Sequence, residues 1–209
     1  MSDSVRSSYD SAAESYAEQL FDELSRKPLD RHLLNRFAEE MKGAGRVADL
    51  GCGPGHVAKY LHDAGTAVIG VDISSAMIEA ARRRISDVEF VVGDMRSLDF
   101  EDHELAGVVL FYSIVHFDGE ELPDIFAECR RVVAPDALLI AGFHIGDEII
   151  HLDELFEQSV SLDFRFHQPE VVAGALARSG FNVIERIERE PYPGAEHPSR
   201  RCYLIARAV

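Results

Sequence analysis

Two rhythms of apolar residues run along the chain. Short runs, VADL at 47–50, AVIGVD at 67–72, VEFVV at 88–92, GVVLFYSIVHF at 107–117 and ALLIAGF at 137–143, hold too few polar positions for a half-exposed strand and predict strands buried on both faces. Between them apolar residues recur every three or four positions, as in Val57, Tyr60, Leu61 and Ala64, or Met77, Ile78, Ala81 and Ile85, or Leu122, Ile125, Phe126, Cys129 and Val133. That spacing gives each helix one apolar stripe to lay on a sheet. Strands alternating with helices predict a parallel, right-handedly wound sheet covered on both faces.

The two ends of the chain break this alternation. Residues 9–24 place Tyr9, Ala13, Tyr16, Ala17, Leu20 and Leu24 on one helical face, and a second helix starts at Pro28 with Leu33, Leu34, Phe37, Ala38 and Met41 inward. Both precede the first strand, so they are expected to cap the carboxyl ends of the strands. Residues 144–167 have no counterpart in the repeating unit and are expected to lie outside the strand ends as a lid. After a last helix at QPEVVAGALARSGF, FNVIERIERE and RCYLIARAV read as strands. The ten residues between them are too few for a crossover helix, so this pair is expected to be antiparallel.

Candidate chemistry gathers where the first strand meets its helix. Gly51, Gly53 and Gly55 stand at alternate positions in DLGCGPG (49–55). Glycines there supply positive φ and leave bare backbone against which a nucleotide cofactor can lie. Each of the first three strands ends in an acid. Asp72 lies 21 residues beyond Gly51, the spacing at which a carboxylate accepts both hydroxyls of an adenosine ribose. Asp94 is placed to accept from the exocyclic amine of adenine, with Met95 and Ile73 flanking the base. Gly53, Gly55 and Ala58 satisfy the dinucleotide pattern G-x-G-x-x-G/A loosely, but Asp49 would face a pyrophosphate placed over the helix N-terminus. A zwitterionic group carrying an ammonium tolerates Asp49.

Composition narrows the partners. Lys and Arg number 21 and Asp and Glu 37 among 209 residues, a formal charge of −16, which repels polyanions such as nucleic acid. No apolar run is long enough to span a bilayer, and MSDSVRSSYD is not a secretory signal. Three widely spaced cysteines, Cys52, Cys129 and Cys202, fit reduced thiols and a cytoplasmic location.

DLGCGPG (49–55), VDIS (71–74), GDM (93–95), the strand-four run LFYSIVHF and the terminal hairpin together resemble the class I S-adenosylmethionine-dependent methyltransferases, and YDSAAESY (9–16) is similar to an amino-terminal motif of the small-molecule members. The resemblance covers roughly residues 9–208. It implies an α/β fold with a doubly wound, seven-stranded, mostly parallel Rossmann-like sheet whose last strand is antiparallel, unlike a dehydrogenase sheet. It also implies one domain: a helical cap (1–43), a cofactor-binding core (46–143), a lid insertion (144–168) and a C-terminal helix and hairpin (169–209). The cofactor would be S-adenosylmethionine, leaving as S-adenosylhomocysteine. Gly51, Gly53 and the backbone at Cys52 would hold its methionine part with Asp49 near the amine; Asp72 would take the ribose, and Ile73, Asp94 and Met95 the adenine. Tyr16 and Met77 join this set, and Phe111 and Tyr112 would line the sulfonium side. The three acids are expected to converge on one adenosyl group.

A sulfonium methyl group is already activated, so transfer needs orientation, exclusion of water and, for a hydroxyl, thiol or ammonium acceptor, a base. His116, beyond the fourth strand, is the candidate catalytic base. His144 and His151 are further candidates to face the acceptor, and no metal set is expected. Strand four lacks the [DN]-P-P-[YF] of enzymes that methylate nucleic-acid amino groups, so a small-molecule acceptor is expected, with no nucleic-acid or membrane partner. Two other readings remain on the sequence: a SAM-binding module without catalysis, and an NAD-dependent dehydrogenase.

Overall fold

The computed structural model describes residues 3–209. Its central sheet has seven strands: β1 (Val47–Leu50), β2 (Val68–Asp72), β3 (Glu89–Val92), β4 (Leu105–Phe111), β5 (Val133–His144), β8 (Phe181–Arg189) and β9 (Arg201–Ala208). They lie in the order β3-β2-β1-β4-β5-β9-β8. The first five are parallel neighbours, and β9 runs antiparallel to both β5 and β8. This is the expected sheet, with the antiparallel strand in the position a dehydrogenase fills with a parallel one.

Residues of each inner strand alternate between two cores. Ala48, Leu50, Val108 and Leu110 face α5 (Leu122–Val132) and α6 (Pro169–Arg178); Val47, Val109 and Phe111 face α2 (Pro28–Met41), α3 (His56–Asp63) and α4 (Ser75–Arg84). A fully buried side chain such as Phe126 or Leu61 contributes about 1.5–3 kcal/mol through its apolar area. Gly107 permits a close approach here: a Cβ would lie 2.8 Å from the Leu138 carbonyl oxygen.

The expected first helix runs as α1 (Asp3–Leu20) followed by a short 3-10 turn at Glu23–Arg26. Strand four ends at Phe111 and runs, as expected, into a loop that carries His116: Tyr112 takes a left-handed φ of 56° and Ile114–His116 coil into a 3-10 turn. The expected lid segment is a β-hairpin, β6 (Ile149–Leu155) and β7 (Gln158–Arg165). Its two turn residues, Phe156 and Glu157, both have left-handed φ, 51° and 64°, a geometry usually filled by Asn-Gly. The strained turn lays the Phe156 ring edge-on to Tyr16, centroids 5.8 Å apart.

β7 packs along α1, with Ala12, Val160 and Leu162 forming a third, small cluster apart from the two main cores. Ser8 Oγ accepts from the Ser161 amide at 3.0 Å. Toward the body, Asp10 accepts from Ser74 Oγ at 2.6 Å and from the Ala76 amide at 3.2 Å, which docks α1 on the start of α4. α1 and the hairpin thus form one roof over the carboxyl ends of the strands.

α2 is held differently. Asp30, wholly buried, accepts from Tyr203 Oη at 2.6 Å, Arg189 at 3.0 Å and Tyr112 Oη at 3.3 Å. Arg189 also bridges Glu196 at 2.6 Å. This buried ionic cluster ties α2, the end of β4 and the C-terminal hairpin together.

Candidate active site

A cleft of about 810 Å³ lies under the roof, across the carboxyl ends of β1, β2, β3 and β4. Its floor is the glycine turn. Gly51 has φ 73° and is pressed against the neighbouring loop, since a Cβ would stand 2.4 Å from that of Ser113. Gly53, at φ 53°, faces open space; the nearest atom to its would-be Cβ is on the Tyr16 ring at 3.9 Å. The turn therefore packs on one side and offers bare backbone on the other.

Asp72 is fixed at the rim of this floor. Its Oδ2 accepts from the Gly53 amide at 2.8 Å and its Oδ1 from the Ser74 amide at 2.9 Å, while burial pushes its carboxyl above the ordinary value. Ser74 caps α4 by accepting from the Met77 amide at 3.1 Å. Ile73, Met77 and Met95 supply apolar walls beside it, and Cys52, Phe111 and Tyr112 continue the lining toward His116.

The three strand-end acids take different places. Only Asp72 lines the cleft. Asp49 is buried, with Oδ2 lacking any hydrogen-bond partner among the described residues, and burial pushes its carboxyl up to about 7 despite the nearby His56. Asp94 turns to Arg96, two residues on, with oxygen and nitrogen 2.6 Å apart; its neighbours Gly93 and Met95 line the cleft in its stead. The guanidinium meets both carboxylate oxygens, and the pair is partly exposed at the side of the cleft.

The roof side is aromatic. Tyr9 and Tyr16 line the cleft from α1, edge-on at 6.0 Å. His116 Nε2 lies 2.7 Å from Tyr9 Oη, its Nδ1 lies 2.9 Å from the Asp163 carbonyl oxygen, and Phe164 packs on its ring at 5.0 Å. Burial, opposed by the Asp163 carbonyl, holds the His116 imidazole down to about 4, and burial raises the Tyr9 phenol well above its ordinary value. At neutral pH the pair is uncharged.

Glu23 and His56 close the far end of the cleft, paired at 3.0 Å. Burial works against the Glu23 carboxylate, yet His56 and Lys27 hold it down to about 2. Sequence reasoning missed Glu23, because reading one helix through residue 24 hid the 3-10 turn that aims it inward. Tyr9 carried a usable signal in the YDSAAESY motif. His144 stacks on Phe166 at 4.9 Å and pairs with Ser199 at 2.7 Å, and His151 is exposed on the hairpin between Asp153 and Asp163; neither lines the cleft. Among the described residues no three His, Cys, Asp or Glu side chains gather as metal ligands would.

Residues 47–136 match the family described as a methyltransferase domain. That region and the sheet built around it are similar to those of the class I SAM-dependent methyltransferases. Among curated members, a demethylmenaquinone methyltransferase of Thermotoga maritima is 31% identical over 142 residues, 60% of this chain and 60% of its own length. An uncharacterized methyltransferase of Oceanobacillus iheyensis is 25% identical over 149 residues, 71% of this chain and 62% of its own. The chain thus spans about 60% of the length of these relatives. Among solved structures, the PH0226 protein of Pyrococcus horikoshii superposes with a TM-score of 0.67 at 27% identity, over 94% of this chain and 91% of its own.

S-adenosylmethionine is the cofactor of this family, and the cleft fits it. Open backbone at Gly53 and apolar walls from Ile73, Met77 and Met95 suit a nucleoside, and the unpartnered oxygen of Asp49 suits a ligand ammonium.

Proposed function

We propose that the chain transfers the methyl group of S-adenosylmethionine to a small-molecule acceptor in the cytoplasm, with His116 receiving the acceptor's proton. The observation that carries this reading is the continuity of one cleft from the Gly53–Asp72 floor to the Tyr9–His116 wall. A floor for the cofactor and a proton acceptor share one enclosed space.

When bound, the cofactor supplies an electrophilic methyl group on sulfur, and the rest falls to the protein. Asp49 holds the amino group, Asp72 the ribose hydroxyls, and Ile73, Met77 and Met95 the adenine. Asp94 has no such role in this reading while Arg96 engages it; the Met95 side of the loop takes its place. Phe111 and Tyr112, at the end of β4, orient the acceptor beside the sulfur. The aromatic roof of Tyr9, Tyr16 and Phe156 excludes water, so the displacement proceeds in line in a dry site. His116 is neutral at the start, so its ring can take up the proton released in the displacement.

Titration calorimetry with S-adenosylmethionine and S-adenosylhomocysteine tests the reading. We expect micromolar binding of both, and a loss of about 100-fold on Asp72→Ala, which removes a charge-assisted hydrogen-bonding group worth about 1.5–3 kcal/mol. Failure of both nucleotides to bind would end the proposal. Binding without any cavity beside the methyl group in a cofactor-bound crystal would favour a SAM-binding module instead.

A further inference from the structure

The lone pair of His116 is not open to the cleft. A carbonyl oxygen only accepts, so the His116 Nδ1 facing Asp163 carries the ring hydrogen. Nε2 of the neutral ring is then the acceptor, and Tyr9 Oη, 2.7 Å away, donates to it. The rings meet edge-on with centroids 5.3 Å apart, and both residues line the cleft. An acceptor seeking the base meets the tyrosine oxygen first.

The charges around it are one-sided. Asp72 and Glu23 line the cleft, and among the described residues no lysine or arginine does. The buried Lys27 ammonium is taken up by Glu23 at 2.7 Å and sits over the Tyr112 ring at 5.0 Å. A phosphate or carboxylate entering here would be desolvated without a counter-charge and beside acids, which costs several kcal/mol. A neutral hydroxyl or amine escapes that cost, but it brings a proton that must leave when it is methylated. The two observations thus support each other, since an uncharged acceptor needs a proton sink and the wall of the cleft holds one.

Resting on the methyl-transfer reading above, we propose that the acceptor is an uncharged molecule presenting an O–H or N–H group to Tyr9, and that Tyr9 is a catalytic residue that relays the proton to His116. As the bond from the acceptor heteroatom to the methyl carbon forms, the carbon–sulfur bond breaks and its electron pair stays on sulfur. The acceptor's proton passes to Tyr9 Oη while the proton of Tyr9 passes to His116 Nε2, and the imidazolium so formed is stabilised by the Asp163 carbonyl. Tyr9 ends as it began, a neutral phenol, in keeping with burial that strongly disfavours its anion.

The test needs no natural acceptor. Protein saturated with S-adenosylhomocysteine is titrated with 4-nitrophenol and with 4-nitrobenzoate, at a pH where the first is neutral and the second ionised. The expected result is binding of the phenol about tenfold or more tighter than the benzoate. Tyr9→Phe should weaken the phenol about fivefold, the share of one hydrogen bond, with both proteins held saturated in S-adenosylhomocysteine and their circular dichroism compared as the control for folding. The phenolate absorbance of the bound probe should also rise about one pH unit lower in the wild type than in Tyr9→Phe. Benzoate binding as tight as the phenol, no binding of the phenol, or indifference of both readouts to Tyr9→Phe would overturn the inference. Loss of S-adenosylhomocysteine binding by the wild type is a separate result that defeats the methyl-transfer reading itself.

Discussion

The two structures that enclose the cleft are attached to the sheet by different means. On one side α2 is clamped by Asp30, Arg189, Glu196, Tyr203 and Tyr112, a buried network in which each charge has partners. On the other, the roof of α1 and the β6–β7 hairpin has its own small cluster of Ala12, Val160 and Leu162 and meets the body along α4, through Glu14 to Arg83 and Arg84 and through a few hydrogen bonds, among them Tyr9 to His116 and Asp10 to Ser74. A buried ionic cluster is rigid because opening it strands charges in a poor dielectric. Small apolar clusters with exchangeable hydrogen bonds open at much lower cost. The clamp therefore fixes α2 and the end of β4, and the roof is the part that opens at lower cost.

The largest expected effect breaks the clamp. Asp30→Ala takes a buried acceptor from Arg189 and from the linked hydroxyls of Tyr203 and Tyr112, and should lower global stability by about 3–5 kcal/mol in urea denaturation. A loss under about 1 kcal/mol would show that the cluster is solvated, and the contrast with the roof would fail. Next comes the roof. Leu162→Ala should cost about 2 kcal/mol, at the lower end for a buried leucine because so small a cluster can collapse. By hydrogen exchange the loss should appear in residues 3–20 and 149–165 and leave 201–208 protected. Equal loosening of both regions would mean that roof and clamp unfold as one.

The smallest effect sharpens the comparison through pH. An unfolded histidine titrates near 6.5, whereas His116 under the roof is held down to about 4 by burial. As pH falls between these values the unfolded chain takes up a proton that the folded one does not, so stability falls, by at most roughly 1.4 kcal/mol per pH unit for one group. Below about 4 the contribution is flat. His144, beside Tyr112 on the clamp side and held down to about 3, has the same sign. His116→Gln should remove one proton's worth of slope from urea midpoints between pH 6.5 and 4 and leave the share of His144. An unchanged slope would place His116 in solvent.

Much of this was legible in the chain because it depends on local rules. The apolar runs of β1, β2, β4 and β5 have no alternative to burial, and the eleven residues between β8 and β9 are too few for a crossover helix, so the antiparallel strand followed. The turn at Gly51 and Gly53 was legible because only glycine fits it. What was not legible depends on contacts between distant residues or on short-range competition. Asp94 carries the right residue at the right strand end, but Arg96 pairs with it. The hairpin at 149–165 was hidden because its turn, Phe156–Glu157, lacks the residues that mark a tight turn. The partnership of Tyr9 and His116 joins positions 107 residues apart, which no periodicity reveals.

One contact links occupancy of the cleft to its cover. Asp10 of α1 holds Ser74 and Ala76, and the Ser74 amide in turn holds Asp72, so the roof is hinged on the same few residues that form the rim of the cleft floor. Opening the cleft at this edge then requires the latch to let go, so the docking of α1 and access to the Gly53 floor rise and fall together.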